Sequence, residues 1–223
     1  MDQENQSPSI QIEEINTQVN IEEDNSKFEM IAGIIIAFFT AILAIAGLAG
    51  DSYGQSVLLA NAEKADAYDW YNTKGIKQMI VEGQKEIVES LLASGLIKAE
   101  AKTALQQSLA DLDNSIDKYK NEKNEIMVGS AALDKSQWVQ DVNGELGKVV
   151  GAQEWETEIA TLDKAGAKMD LASLFLQICL VVGAISLIMR KPKSKWTFLG
   201  LTVIIGLVGT IYMILGLTIS WPF

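Results

Sequence analysis

The sequence predicts an all-α membrane protein: three transmembrane helices, with a helical-hairpin, coiled-coil-like domain inserted between the first and the second. Three observations carry this reading. Apolar runs occupy Phe28 to Gly50, Met169 to Met189 and Trp196 to Ser220. Each holds roughly 20 residues or more, enough at about 1.5 Å per residue to cross a ~30 Å hydrocarbon core. Residues 51–168, between the first two runs, are polar and rich in Lys, Glu and Asp. Finally, the only prolines are Pro8, Pro192 and Pro222, so nothing of that kind interrupts helices in the middle of the chain.

Composition narrows the function classes. The formal charge is −11 over 223 residues, so neither nucleic acid nor an anionic lipid surface is an attractive partner. Histidine is absent, which removes the commonest general base and the commonest transition-metal ligand. The single cysteine, Cys179, lies inside the second apolar run and cannot form an intrachain disulfide. The first run follows an acidic flank (Glu22, Glu23, Asp24) and is longer than a secretory signal core, so it is expected to be an anchor.

Orientation follows from the short loop between the second and third runs. Residues 190–195 read RKPKSK, with Arg190, Lys191, Lys193 and Lys195 as topology determinants, and Arg190 is the only arginine. Such a basic turn is expected on the cytoplasmic side. Three crossings then place the N-terminus in the cytoplasm and the 51–168 domain outside, in a bacterial cytoplasmic (inner) membrane. That domain carries thirteen lysines against twenty carboxylates, a net of −7. Its length allows translocation whatever its charge.

Residues 1–27 are acidic and amide-rich without helical periodicity and are expected to be a disordered tail. The Ala-rich stretch Val57 to Ala67 favours continuing the first membrane helix outward as a stalk. Ile76, Ile80, Ile87 and Leu91 share one helix face, and Ser94-Gly95 marks a stop. Leu105, Leu109, Leu112, Ile116, Tyr119 and Ile126 then form a heptad seam, with Lys118, Lys120, Glu122 and Glu125 expected to solvate its outer side. A long antiparallel hairpin over about 55–127 follows from the short connection. Residues 129–151 are less regular. Trp138, Val142, Leu146 and Val149 suggest an amphipathic helical stretch, with Asn143-Gly144 lying inside that pattern rather than making a β-hairpin. A last helix, 152–168, is expected to run straight into the second crossing.

Candidate interaction residues fall into three sets. Gly33, Ala37 and Ala41 in the first crossing, and Thr202, Gly206 and Thr210 in the third, are small-residue stripes that let helices approach closely. They suit packing within one protomer and packing between protomers equally. The seam Leu105, Leu109, Leu112 and Ile116 suits helix pairing. Tyr68, Trp70, Tyr71, Lys74 and Lys77 form a distinctive cluster that suits an interaction platform, or more simply a core anchor. The intramembrane polar residues Ser173, Gln177 and Thr202 are uncharged, which disfavours a transporter. No catalytic, cofactor-binding or metal-ligating constellation is legible, and no enzyme activity is expected.

The segments Leu58-Leu59-Ala60 and AYDWYNTKGIK (Ala67 to Lys77), with FLQICLVVGAISLIMRKPK (Phe175 to Lys193), resemble the bacterial membrane proteins grouped as domain of unknown function 4337. That family's pattern has a Leu-Leu-Ala stretch leading into an aromatic-rich Tyr-Gln-Ala-Lys-Ser-Ile-Lys segment. Here Asn72 stands for the amide, Gly75 for the small Ser, and Lys74, Ile76 and Lys77 match. Tyr68 occupies a position that is usually Trp. The resemblance covers about Phe28 to Leu217. It implies one N-terminal crossing, a helical insert and a C-terminal pair of crossings around a basic turn, and it implies no activity. The expected function is a membrane-anchored helical scaffold or interaction protein that self-associates. Its expected partners are the lipid bilayer, further copies of the chain and an extracytoplasmic protein. The alternative is an oligomeric small-solute or ion channel, or a channel accessory subunit.

Overall fold

The computed structural model describes the backbone of residues 8–220 and side chains from Asp24 onward. Helix α1 spans Pro8–Ala93, α2 Ala99–Val128, α3 Ala152–Ile188 and α4 Pro192–Ile219. The part of α1 from Asp24, together with α3 and α4, gives three helices long and apolar enough to cross a membrane. The disordered tail expected over 1–27 lies outside the described residues for its first seven positions. From Pro8 the backbone belongs to α1. Proline in a first turn forfeits no helical hydrogen bond, so it opens a helix readily. The first crossing and its stalk are one uninterrupted helix, as the alanine-rich sequence after Asp51 favours. Helix α3 likewise runs unbroken from Ala152 through the second apolar run.

The described chain falls into two compact units. One comprises α1 up to Tyr53 together with the residues from Lys164 onward; the other is Gly54–Asp163. In the first unit, Phe39, Ile42 and Ala46 of α1 pack on Ala172, Leu176 and Cys179 of α3. Phe28 and Ala32 close the same α1 face on Leu199 of α4. Close approach depends on the glycines of α4. A Cβ at Gly206 would fall 2.4 Å from the Phe39 ring, and one at Gly209 2.8 Å from Leu176. The fully buried Tyr53 donates its hydroxyl proton to the carbonyl oxygen of Ser220. That satisfies an acceptor a helix C-terminus otherwise leaves open.

The second unit is a helical pair closed by an irregular elbow. Helix α1 stops at Ala93, and Gly95 takes a positive φ of 71°. Helix α2 returns from Ala99. The two arms are joined by polar groups: Lys85 Nζ lies 2.7 Å from Asp113 Oδ1, and Lys74 Nζ 2.7 Å from Glu122 Oε2. A cleft of about 480 Å³ bordered by Val88, Ser108 and Leu112 separates parts of them. Ile76, Ile80, Ile87 and Leu91 do not make up the inner face of the hairpin: they are 45–62% exposed, although Ile87 borders the cleft between the arms. The inner face is instead built around Ala67, Tyr71, Lys74 and Gln78, because charged and amide groups there meet partners on α2.

The elbow contains 3₁₀ turns at Ser130–Ala132 and Lys135–Gln137 and a two-residue ladder. Strand β1, Asp141–Val142, pairs antiparallel with β2, Glu145–Leu146, with Asp141 opposite Leu146. The expected amphipathic helix is therefore absent, and the fold is helical apart from this hairpin. Asn143 and Gly144 are its turn, with φ of 56° and 86°. Both angles are positive, as the tight hairpin turn favoured by Asn-Gly requires. The four-residue spacing of Trp138, Val142 and Leu146 imitates a helix by coincidence. Leu146 is exposed, so no apolar face existed to favour one.

Candidate functional site

The richest cluster of polar side chains lies in the Gly54–Asp163 unit, around the C-terminal half of α2. Helical spacing brings Ala67, Tyr68, Trp70 and Tyr71 of α1 against Ile126 and Met127 of α2 and Ala152 of α3. Tyr68 donates its hydroxyl to Glu156 Oε1 at 3.0 Å. That hydrogen bond, with some burial and the nearby carboxylate charge, raises the phenol above its usual pKa. Tyr71 carries the Lys123 ammonium 4.7 Å above its ring. Lys74 is held by Glu122, and Lys85 by Asp113, whose hydrogen bond raises the Lys85 ammonium above its usual range. Lys77 is exposed. The cluster is thus a set of paired charges and anchored rings. Toward solvent it opens as a depression of about 520 Å³ beside Tyr71, Gly75, Gln78 and Lys123.

Glu122 and Glu125 correct the expectation that they solvate the outer side of α2. Both are buried, Glu125 completely, whereas Lys118 and Lys120 are exposed. Glu122 is covered by α1, where Lys74 meets it, and Glu125 by the elbow, which folds over this end of α2. Glu125 fastens it. Its Oε1 accepts from the Ser130 hydroxyl at 2.7 Å, and its Oε2 accepts from the amides of Val139 and Gln140, each at 2.8 Å. Ser130 extends the network. Its Oγ accepts from the Val149 amide, its own amide donates to the Val149 carbonyl, and its carbonyl accepts from Trp138 Nε1. Gly129 and Gly151 let the backbones touch, since a Cβ at Gly151 would sit 2.1 Å from the Gly129 nitrogen. The sequence signal for this clasp was a carboxylate on α2 followed closely by the small residues Gly129 and Ser130, which no periodicity argument weighs.

The other predicted residues separate cleanly. On α2, Leu105, Leu109 and Leu112 are half-buried and Ile116 is buried. In α4, Thr202 and Gly206 are buried and Thr210 half-buried; Thr202 Oγ1 donates to Phe198 O, and its carbonyl accepts from the Cys179 thiol. That stripe packs within the protomer. Gly33, Ala37 and Ala41 face outward, and nothing lies within 4 Å of a Cβ placed at Gly33. Gln177, in the middle of the second apolar run, also faces outward and makes no side-chain hydrogen bond to the described residues. Of the basic turn, Arg190, Lys191 and Lys193 lie outside the core, whereas Lys195 is buried against Asn25 and Phe28. Among the described residues no group of three or more His, Cys, Asp or Glu side chains is placed to hold a metal ion.

No curated protein and no solved structure matches the chain. Residues 28–219, which include the apolar stretches of α1, α3 and α4 and the whole Gly54–Asp163 unit, match the model of a domain of unknown function, DUF4337, and the chain belongs to that family.

Proposed function

We propose that the protein is a membrane-anchored helical scaffold or interaction protein that self-associates, with its Gly54–Asp163 unit on the extracytoplasmic side of a bacterial inner membrane. One observation carries this reading. Ile76, Ile80, Ile87 and Leu91 form an uncovered apolar stripe on a water-facing helix, each exposed by 45–62%. Exposed apolar stripes of that kind mark association surfaces. Their spacing of four, seven and four residues is that of a helix-pairing seam. The outward Gly33, Ala37 and Ala41 support the reading, since small residues admit a neighbouring helix in a bilayer.

The test is cysteine crosslinking in native membranes. In a Cys179→Ala background, cysteine introduced at Ile80 is expected to give a disulfide-linked dimer, and cysteine introduced at exposed Glu89 is expected to give far less. Equal crosslinking at both positions, or none at Ile80, rejects association through this face.

The outward Gln177 favours a second reading, an oligomeric channel or channel accessory in which copies present Gln177 and Ser173 to a shared path. Reconstituted protein that passes no current at any applied potential rejects it.

A further inference from the structure

At the end of the membrane unit that bears the basic turn, α1 and α4 enclose a cavity of about 420 Å³. Its walls include Asn25, Phe28 and Ile31 of α1 and Pro192, Lys195 and Trp196 of α4. Lys195 is only 8% exposed. Its ammonium donates to the Asn25 amide oxygen at 3.0 Å and stands 5.4 Å over the Phe28 ring. Neither partner carries a full negative charge, and no carboxylate among the described residues lies within ion-pair distance of it. A cation taken out of water without an anion is costly, and the cost is offset when an anion is brought to it.

We propose that this cavity binds the phosphate group of a membrane phospholipid, with Lys195 as the principal phosphate ligand. Three further features fit a lipid. Trp196 meets Phe28 edge-to-face at 5.2 Å, giving the cavity an aromatic wall at the start of an apolar helix, the level where headgroups lie. Ile31 borders the cavity, and Ile31, Ile34 and Phe38 are exposed along the same helix below it, an apolar track for acyl chains. The first turn of α4 has no side-chain cap at Lys191, so its open amides add positive potential at the same end. Arg190, Lys191 and Lys193 reinforce it from the adjoining turn. Two further charged residues line the cavity. Lys27 adds a cation. Asp24 adds a carboxylate, which disfavours a headgroup with its own carboxylate and offers an acceptor to a hydroxyl-bearing one. A net charge of −11 speaks against adsorption to an anionic surface at large, and this site is compatible with that because it is local and enclosed.

The experiment is native mass spectrometry of the full-length chain in mixed detergent–lipid micelles, counting retained molecules of phosphatidylglycerol, phosphatidylserine and phosphatidylcholine. Wild type is expected to retain one phosphatidylglycerol in preference to the other two. Lys195→Gln, which can still bond Asn25, is expected to lower that retention by about tenfold, in line with a charge-assisted hydrogen bond. Ile31→Trp, which fills the cavity without touching the ammonium, should do the same and covers the case in which the lysine variant fails to fold. Competition by millimolar inorganic phosphate equal to that of the lipid would show a free-phosphate site and overturn the lipid assignment. Undiminished retention in Lys195→Gln and Ile31→Trp, with loss only when Arg190, Lys191 and Lys193 are all neutralised, would show diffuse attraction to the turn and overturn the site.

Discussion

Removing the Glu125 carboxylate should release the elbow while leaving the helices in place. In Glu125→Ala, the Val139 amide, the Gln140 amide and the Ser130 hydroxyl all lose their acceptor. A hydrogen bond to a charged group contributes about 1.5–3 kcal/mol, and the three are not additive. The Val139 amide is only partly buried and can recruit water, so the expected loss is about 3–5 kcal/mol, less than the sum of three such bonds. Glu125→Gln should lose less, about 1–2 kcal/mol. Its remaining oxygen can face both amides while its NH₂ turns to Ser130, whose Oγ already accepts from Val149 and whose proton is then left without a partner.

Amide hydrogen exchange on the solubilised full-length chain reads this directly. Exchange over residues 129–151 is expected to accelerate by roughly 100-fold or more in Glu125→Ala, and by about tenfold in Glu125→Gln. Exchange in the first half of α2 should be unchanged. Glu145→Ala, at an exposed carboxylate paired only with exposed Lys148, serves as the control and should have no measurable effect. Equal exchange in the Ala and Gln variants, or acceleration spread evenly over α2, would refute the clasp.

Further expectations are as follows. Gly206→Ala drives a Cβ into the Phe39 ring and should cost about 1–3 kcal/mol by thermal unfolding of the detergent-solubilised monomer, whereas Gly33→Ala should be neutral. Tyr68 and Lys85 both hold their protons more tightly in the folded state, so their contribution is complete below about pH 10 and is lost as pH rises through their raised values. Tyr68→Phe should therefore unfold with a weaker pH dependence in alkali than wild type, followed by helical circular dichroism. For topology, single cysteines placed at Ser115 or Ser194 in a Cys179→Ala background are to be treated with a membrane-impermeant thiol reagent in intact cells. Labelling at position 115 but not at 194 supports the proposed orientation, and the reverse pattern overturns it.

Long-range features were legible where one physical signal dominates. Apolar length located the three helices long and apolar enough to cross a membrane. Gly95 located the end of α1, and the proline-free middle located an α3 that continues through the second apolar run. Legibility failed where two signals competed. At 138–149 the helix-like spacing of large residues opposed the Asn-Gly turn, and the turn won because Leu146 has no core to face. On α2, charge alone suggested that Glu122 and Glu125 were solvated. Glu122 is buried against Lys74 of α1, and Glu125 is covered by the elbow from 14 and 15 residues further on through the amides of Val139 and Gln140. The isoleucine stripe was legible as one helix face, but what covers it was not, since a stripe states what must be covered and not by what.

That last distinction separates fastening from association within one unit. The motif that looks most functional, Tyr68 to Lys77, gives its polar groups to internal partners: Tyr68 to Glu156 and Lys74 to Glu122. The adjoining face, with Ile76 and Ile80, is more than half exposed. Substitutions a few residues apart should therefore act on different quantities. Lys74→Ala leaves a buried carboxylate without its cation and should cost about 2–3 kcal/mol of stability, discounted because Lys118 stands 3.9 Å from Glu122. Once folded, that variant should crosslink through position 80 as efficiently as wild type. Ile80→Glu, read through a cysteine at Ile87 on the same exposed stripe, should do the opposite. It places a charge on an exposed face at little cost in stability and abolishes pairing, because identical charges would then meet across a symmetric seam. Measuring thermal unfolding and membrane crosslinking on both variants decides the matter. If Lys74→Ala abolishes crosslinking without loss of stability, the motif itself is the association surface and the division argued here is wrong.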